Sequence, residues 1–176
     1  MEIDLNHLRS WIGKNEIHHD TATAFPVAAL AATLDRSDPQ PKTGDAIPLS
    51  AHWLYFLETA PNAELGHDGH PKRGGFLPPV ALPRRMWAGG RIDFRAPIRI
   101  GDAISRESEI VSVNAKSGSS GQLVFVMVRH TVKAGGTTAI VEEHDIVYRE
   151  AAKPGDKPPA GKPAPQTAAW RRELQT

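Results

Sequence analysis

Polar and apolar residues alternate along Arg91-Ile92-Asp93-Phe94-Arg95, the period-2 pattern of a strand with one face buried. The surrounding stretch from Arg84 to Asp102 reads as the entry into a sheet. Pro97 ends the strand because proline offers no ladder donor, and Gly101-Asp102 turns the chain so that it re-enters at Ala103. A strand over Ala103–Val113 is followed by Asn114 to Gly121, a link rich in serine and glycine. Gln122 to Val132 is apolar on both alternating sets, Leu123, Phe125 and Met127 against Val124, Val126 and Val128, which predicts a central strand covered on both faces. Lys133-Ala134-Gly135-Gly136 turns the chain, and Thr137 to Tyr148 returns as a hairpin partner. The expected sheet is a meander of four long antiparallel strands.

Helical periodicity occupies the region before this sheet. Ile3, Leu8, Trp11 and Ile12 fit a short amphipathic helix, followed by an extended piece through Glu16 to Asp20. Thr23 is placed to cap an alanine-rich helix running to Leu34, with Pro26 in its first turn. Pro48 to Glu58 is the most apolar helical stretch, with Asp45 as its N-cap, and Leu49, Trp53, Phe56 and Leu57 share one side. Such a helix is expected to be wrapped by the sheet, an α+β layer. Pro61 to Pro83 is dense in proline and glycine and predicts a long ordered loop of the kind that often carries function. One domain therefore fills residues 1–150. Residues 151–166, rich in Pro, Lys, Ala and Gly, read as a solvated linker, and residues 167–176 as the start of a following domain or a docking helix.

Composition narrows the chemistry. A net charge of +1 with both signs interspersed argues against nucleic acid. The absence of cysteine excludes disulfides, thiolate nucleophiles and cysteine-ligated zinc. No apolar run is long enough to span a membrane and no leader opens the chain, so the expectation is a cytoplasmic protein that binds no membrane. His18-His19-Asp20 and His67-Asp68-Gly69-His70 lack metal-ligand spacing, and neither a metal nor a cofactor is expected.

His52 is the most suggestive single residue, able to polarise a carbonyl or move a proton. Arg84, Arg85 and Arg91 flank Trp87 and the pair Gly89-Gly90, combining cations, a flat aromatic face and approachable backbone. The expected substrate-binding residues are therefore His52, Arg84, Arg85, Trp87, Gly89 and Gly90. Asp35 and Asp38 sit where a loop brings a carboxylate toward a pocket, though turn formation explains them equally well.

The run Phe76 to Gly90, with Arg84-Arg85-Met86-Trp87-Ala88-Gly89-Gly90 at its end, continues through Phe94, Pro97 and Gly101-Asp102. Together with Leu123 to Val126, Arg129-His130 and Glu142 to Arg149, it resembles the N-terminal hot-dog half of MaoC-like dehydratases of the mesaconyl-coenzyme A hydratase and 3-hydroxyacyl-thioester dehydratase type, over roughly residues 22–176. The resemblance implies a hot-dog fold and an acyl-coenzyme A substrate. It also implies a C-terminal hot-dog half or equivalent subunit as partner, within a homo-oligomer. The place matching the family's hydratase motif, Leu30 to Pro39, lacks the glycine before Asp35 and a histidine after it. What is implied is a half that shapes the acyl pocket of a hydro-lyase, with no catalytic residue assigned to it, while the other half adds or removes water. The alternatives are a self-sufficient hot-dog thioesterase using Asp35 or Glu58, or a non-catalytic binding or assembly module.

Overall fold

The computed structural model describes residues 3–118 and 121–151, together with 155, 161, 163 and 167. The expected linker and following segment thus lie almost wholly outside the described residues. The element order is α1 (Leu5–Arg9), β1 (Asn15–Thr21), α2 (Ala24–Thr33), β2 (Arg84–Phe94), β3 (Ala103–Gly118), β4 (Gly121–Ala134) and β5 (Thr137–Arg149). The strands form one antiparallel sheet in the order β1-β3-β4-β5-β2. This α+β arrangement, a long curled sheet with few helices, is of the hot-dog class.

The sheet departs from a plain meander at one point. β2 pairs with β5, not with β3, because the segment after Phe94 crosses beneath the sheet and buries Ile98 and Ile100 on the way. Ile47 N–H donates to Ile98 O, and Ile100 N–H to Asp45 O, which fixes that crossing. The extended piece near the N-terminus joins the sheet as the edge strand β1. β3 continues to Gly118, so the expected link from Asn114 is mostly strand, its residues paired with β4. β4 is central, yet only its Val124, Val126, Val128 and Val132 side is buried; Leu123, Phe125 and Met127 stay partly exposed. Gly135 and Gly136 both take positive φ (53° and 84°), as a tight hairpin requires.

The expected helix over Pro48–Glu58 is replaced by a single 3-10 turn at Ala51–Leu54. Its residues do not keep helical dihedrals: Ser50 (φ 67°) and Phe56 (φ 56°) are left-handed. Specific bonds override the periodicity here. Asp20 Oδ2 accepts from Phe56 N–H at 2.8 Å, Tyr55 Oη donates to Thr23 O at 2.7 Å, and His52 is tied to Glu142. The segment buries Ala51, His52, Tyr55 and Phe56 and turns Leu49 (74% exposed) and Leu57 (77%) outward. Asp45 caps nothing there; its Oδ2 accepts from Lys42 N–H. α2 forms where expected, with Thr23 at its N-cap position, but none of its residues is buried, and Phe25 is 78% exposed. Among the described residues no helix is long and apolar enough to cross a membrane.

The buried face of the sheet carries two apolar clusters. One gathers Leu8, Val80, Leu82, Ile110, Val113, Val124, Val126, Val128, Ile146 and Tyr148; the other gathers Ala22, Tyr55, Phe56, Ile98, Ile104, Val132, Ala139 and Ile140. Between them runs a polar band.

Candidate functional site

That band follows from register. Ser108 faces His130 across β3 and β4, and His130 faces Glu142 across β4 and β5. Arg106 precedes Ser108 by two on the same face, and His144 follows Glu142 by two. Below these side chains lies a cavity of 490 Å³ lined by His52, Trp53, Tyr55, Phe56 and Trp87 with Arg106, His130, Glu142 and His144.

Glu142 is the anchor of the polar group. Its Oε2 lies 3.1 Å from His52 Nε2, and its carboxylate accepts from Trp53 Nε1 at 3.1 and 3.2 Å. Burial alone would raise its carboxyl, but the hydrogen bonds from His52 and Trp53 outweigh that and hold it below the usual carboxylate range. An ionised carboxylate only accepts, so the hydrogen in the pair sits on His52 Nε2. His52 is itself only 4% exposed, and its Nδ1 has no hydrogen-bond partner among the described residues. His130 Nδ1 lies 2.9 Å from the fully buried Ser108 Oγ. Burial, with the nearby Arg106 cation, pushes its imidazole down to about 4. Burial also lowers His144, against the pull of Glu142 and Asp145. At neutral pH the cavity therefore presents one carboxylate, one guanidinium and two neutral imidazoles between aromatic walls.

A larger groove of 880 Å³ adjoins it, and Trp87 and His144 line both. The groove runs past Lys72, Arg73, Arg85, Phe76 and Leu77, in the proline- and glycine-rich loop and the first part of β2. Arg73 pins that loop by donating to the carbonyls of Val80, Leu82 and Pro83, and its guanidinium lies 5.0 Å from the Tyr148 ring centroid. Asp68 sits 3.7 Å from Arg85 Nη2. Burial works to raise the Asp68 carboxyl, but the His70 N–H bond and the Arg85 and Arg73 cations prevail and lower it.

Of the residues singled out from sequence, His52 and Trp87 line the inner cavity, Arg85 lines the groove, and Gly90 packs beneath Trp87. Arg84 faces the opposite side by simple alternation with Arg85, Gly89 is brought there by a bulge between Trp87 and Gly89, and neither converges with the others. Arg91 is also on that outer face, spent on Glu143 (2.7 Å) and Asp145 (3.0 Å). Asp38 pairs with Arg36 at 2.9 Å, and Glu58 lies 3.5 Å from Arg106. Glu16, His18 and Glu58 each offer a metal-ligand atom within 4.8 Å of the others at the groove's rim, a partly exposed set of the kind common without an ion. Arg106, Ser108, His130, Glu142 and His144 went unassigned in the sequence reading. Their signal was there: each interrupts an apolar alternation, as His130 does after Val124, Val126 and Val128.

A Cβ on Gly90 would stand 3.1 Å from the Glu143 carbonyl oxygen and 3.5 Å from Trp87 Nε1. Gly90→Ala is therefore expected to press on the Glu143 carbonyl, pushing the β2 and β5 backbones apart by a few tenths of an ångström, and to cost about 1 kcal/mol. Urea unfolding would show the loss; an unchanged midpoint would contradict the contact.

Comparison with known proteins supplies a context for this geometry. The model of the family described as hydroxyacyl-thioester dehydratase type 2 matches residues 50–176. A curated relative, mesaconyl-C(4)-CoA hydratase of Chloroflexus aurantiacus, is 45% identical over 149 residues, 85% of this chain and 53% of its own length. The chain thus spans about half the length of that relative. Among solved structures, the ChsH1-ChsH2 complex from Mycobacterium tuberculosis is similar with a TM-score of 0.60 and 12% identity, over 84% of this chain and 95% of that one, a likeness of fold.

Proposed function

The chain belongs to the hydroxyacyl-thioester dehydratase type 2 family, and from that premise we propose that it is the acyl-coenzyme A-binding half of a hydro-lyase. Its substrate is a short branched enoyl or 3-hydroxyacyl thioester, hydrated or dehydrated as in mesaconyl-coenzyme A hydratase. The observation that carries this reading is the meeting of two spaces at Trp87 and His144. The smaller has aromatic walls suited to a short unsaturated acyl group; the larger is flanked by Lys72, Arg73 and Arg85, cations suited to the phosphates of the coenzyme. His52, Trp87 and Gly90 shape the acyl end, and Arg85 the approach.

Adding water across the double bond needs a carboxylate and an imidazole holding that water, with a donor on the thioester oxygen. The Leu30–Pro39 loop, where the family places such a pair, lacks its glycine and histidine, so a second hot-dog half supplies them. The uncovered apolar surface of α2 and the greater length of the curated relative favour such a partner. Association into a homo-oligomer follows the same logic.

Titration calorimetry with a saturated short acyl-coenzyme A tests the binding role, and loss of enoyl absorbance, with and without a C-terminal hot-dog half, tests the division of labour. Binding by the chain alone, with hydration only after the second half is added, is the expected result. Release of free thiol without hydration would instead indicate a thioesterase.

A further inference from the structure

We infer that His144 is the residue that holds the thioester carbonyl: its ring N–H donates to the thioester oxygen and polarises the conjugated acyl group toward attack at the β-carbon. This deepens the acyl-thioester reading and rests on it. The place of the imidazole carries the inference. A ligand with its acyl group in the 490 Å³ cavity and its coenzyme in the 880 Å³ groove has its carbonyl where the two spaces meet, and His144 and Trp87 are the residues that line both.

Register prepares that position. His144 pairs with Val128 on β4 and with Gly90 on β2. Val128 is buried and apolar, and Gly90 has no side chain; the Trp87 indole lies over it, with Nε1 3.5 Å from where a Cβ would stand. The imidazole thus projects beside an aromatic plane, with no polar side chain directly across from it on either strand.

The other polar groups of the cavity are already committed. Glu142 accepts from His52 and Trp53, Tyr55 Oη donates to the Thr23 carbonyl, and Arg106 faces Glu58. His130 Nδ1 is bonded to Ser108, and His130 does not reach the groove. His144 touches the His130 ring, centroids 6.2 Å apart, but neither of its ring nitrogens has a hydrogen-bond partner among the described residues. Neither is sealed from the cavity, as His52 Nδ1 is. Burial, helped by the Arg85 cation, holds the imidazole below the usual histidine range against the pull of Glu142 and Asp145. At neutral pH it therefore has one N–H to give. A neutral donor is buried by the ligand without the cost of desolvating an ion, and its bond strengthens as charge builds on the oxygen. In hydration the water oxygen bonds to the β-carbon while the π pair shifts toward the α-carbon and the thioester oxygen. The water's proton reaches the α-carbon through the carboxylate and imidazole of the second half, and His144 keeps its own proton throughout.

Butanoyl-coenzyme A against S-butyl-coenzyme A, the thioether that lacks the carbonyl oxygen, tests this by titration calorimetry. Infrared difference spectra of butanoyl-coenzyme A isotope-labelled at the carbonyl carbon read the polarisation itself. The wild-type chain should prefer the thioester by about 3- to 10-fold, and its bound carbonyl stretch should lie at lower frequency than in His144→Phe. His144→Phe should remove most of the preference while keeping affinity for the thioether, and His144→Gln, which retains an N–H, should restore part of both signals. The assignment would be overturned by no wild-type preference, a stretch unmoved in His144→Phe, equal loss of both ligands in a folded His144→Phe, or a preference lost in Trp87→Phe and kept in His144→Phe. Each of these leaves acyl-coenzyme A binding by the wild-type chain in place. If the wild-type chain binds neither ligand, the acyl-thioester reading fails and this inference falls with it.

Discussion

Glu142→Ala is expected to destabilise the fold by about 2–4 kcal/mol, the largest loss of any single substitution in the polar band. The carboxylate satisfies two side chains from the same 3-10 turn, Trp53 through Nε1 and His52 through Nε2. With Ala there, the His52 ring, whose Nδ1 already lacks a partner among the described residues, is buried with neither nitrogen bonded to them. The turn has no helical ladder to fall back on, so its position over the cavity depends on this one side chain together with the Asp20 and Tyr55 bonds. Urea denaturation of Glu142→Ala, Trp53→Phe and the double variant would measure it. A coupling of at least about 0.5 kcal/mol between the two sites is expected; additive losses would mean that the indole bond contributes nothing.

Acidification should be the second large lever, and His130 its main source. Its folded-state value of about 4 lies below the ordinary histidine value of 6.5. Between those two, an unfolded chain binds a proton that the folded one refuses, so stability falls as pH drops through 6.5 and levels off near 4. At 1.36 kcal/mol per unit this amounts to roughly 3 kcal/mol. Arg106 and His144 oppose protonation and Glu142 favours it, with burial the largest influence of all. The depressed Glu142 carboxyl adds loss in the same direction at lower pH, so the comparison must be made between proteins. Unfolding midpoints at pH 7 and 4.5 should differ much less in His130→Gln than in the wild type. Equal differences would show that the imidazole is not shielded.

The strands were legible because their information is local. The alternation at Arg91–Arg95, the stop at Pro97 and the Gly135-Gly136 turn each act within a few residues, and each stands in the structure where expected. The order of the strands was not, since the pairing of β2 with β5 is decided by Ile98 and Ile100 burying beneath the sheet, a long-range gain. The segment Pro48–Glu58 failed for a related reason. Its 3.6-residue apolar pattern is real, but bonds to Asp20, Thr23 and Glu142, far away in sequence, turn it into something else. Half of the candidate site was hidden in the same way: His52 could be picked out as a histidine in an apolar stretch, whereas Ser108, His130 and Glu142 become neighbours only once three strands are in register.

The bulge in β2 sets how this strand tolerates changes in length. Trp87 pairs with Ile146 and Gly89 with Asp145, so Ala88 is the one supernumerary residue, and the inward set passes from Arg85 and Trp87 to Gly90, Ile92 and Phe94. Excising Ala88 would regularise the ladder and leave that set as it is. Excising Arg91 two pairs later would turn Ile92 and Phe94 out to solvent and swing Asp93 in toward the greasy side. Within eleven residues, the chain thus holds both a place that forgives a lost codon and places where the same loss inverts the strand.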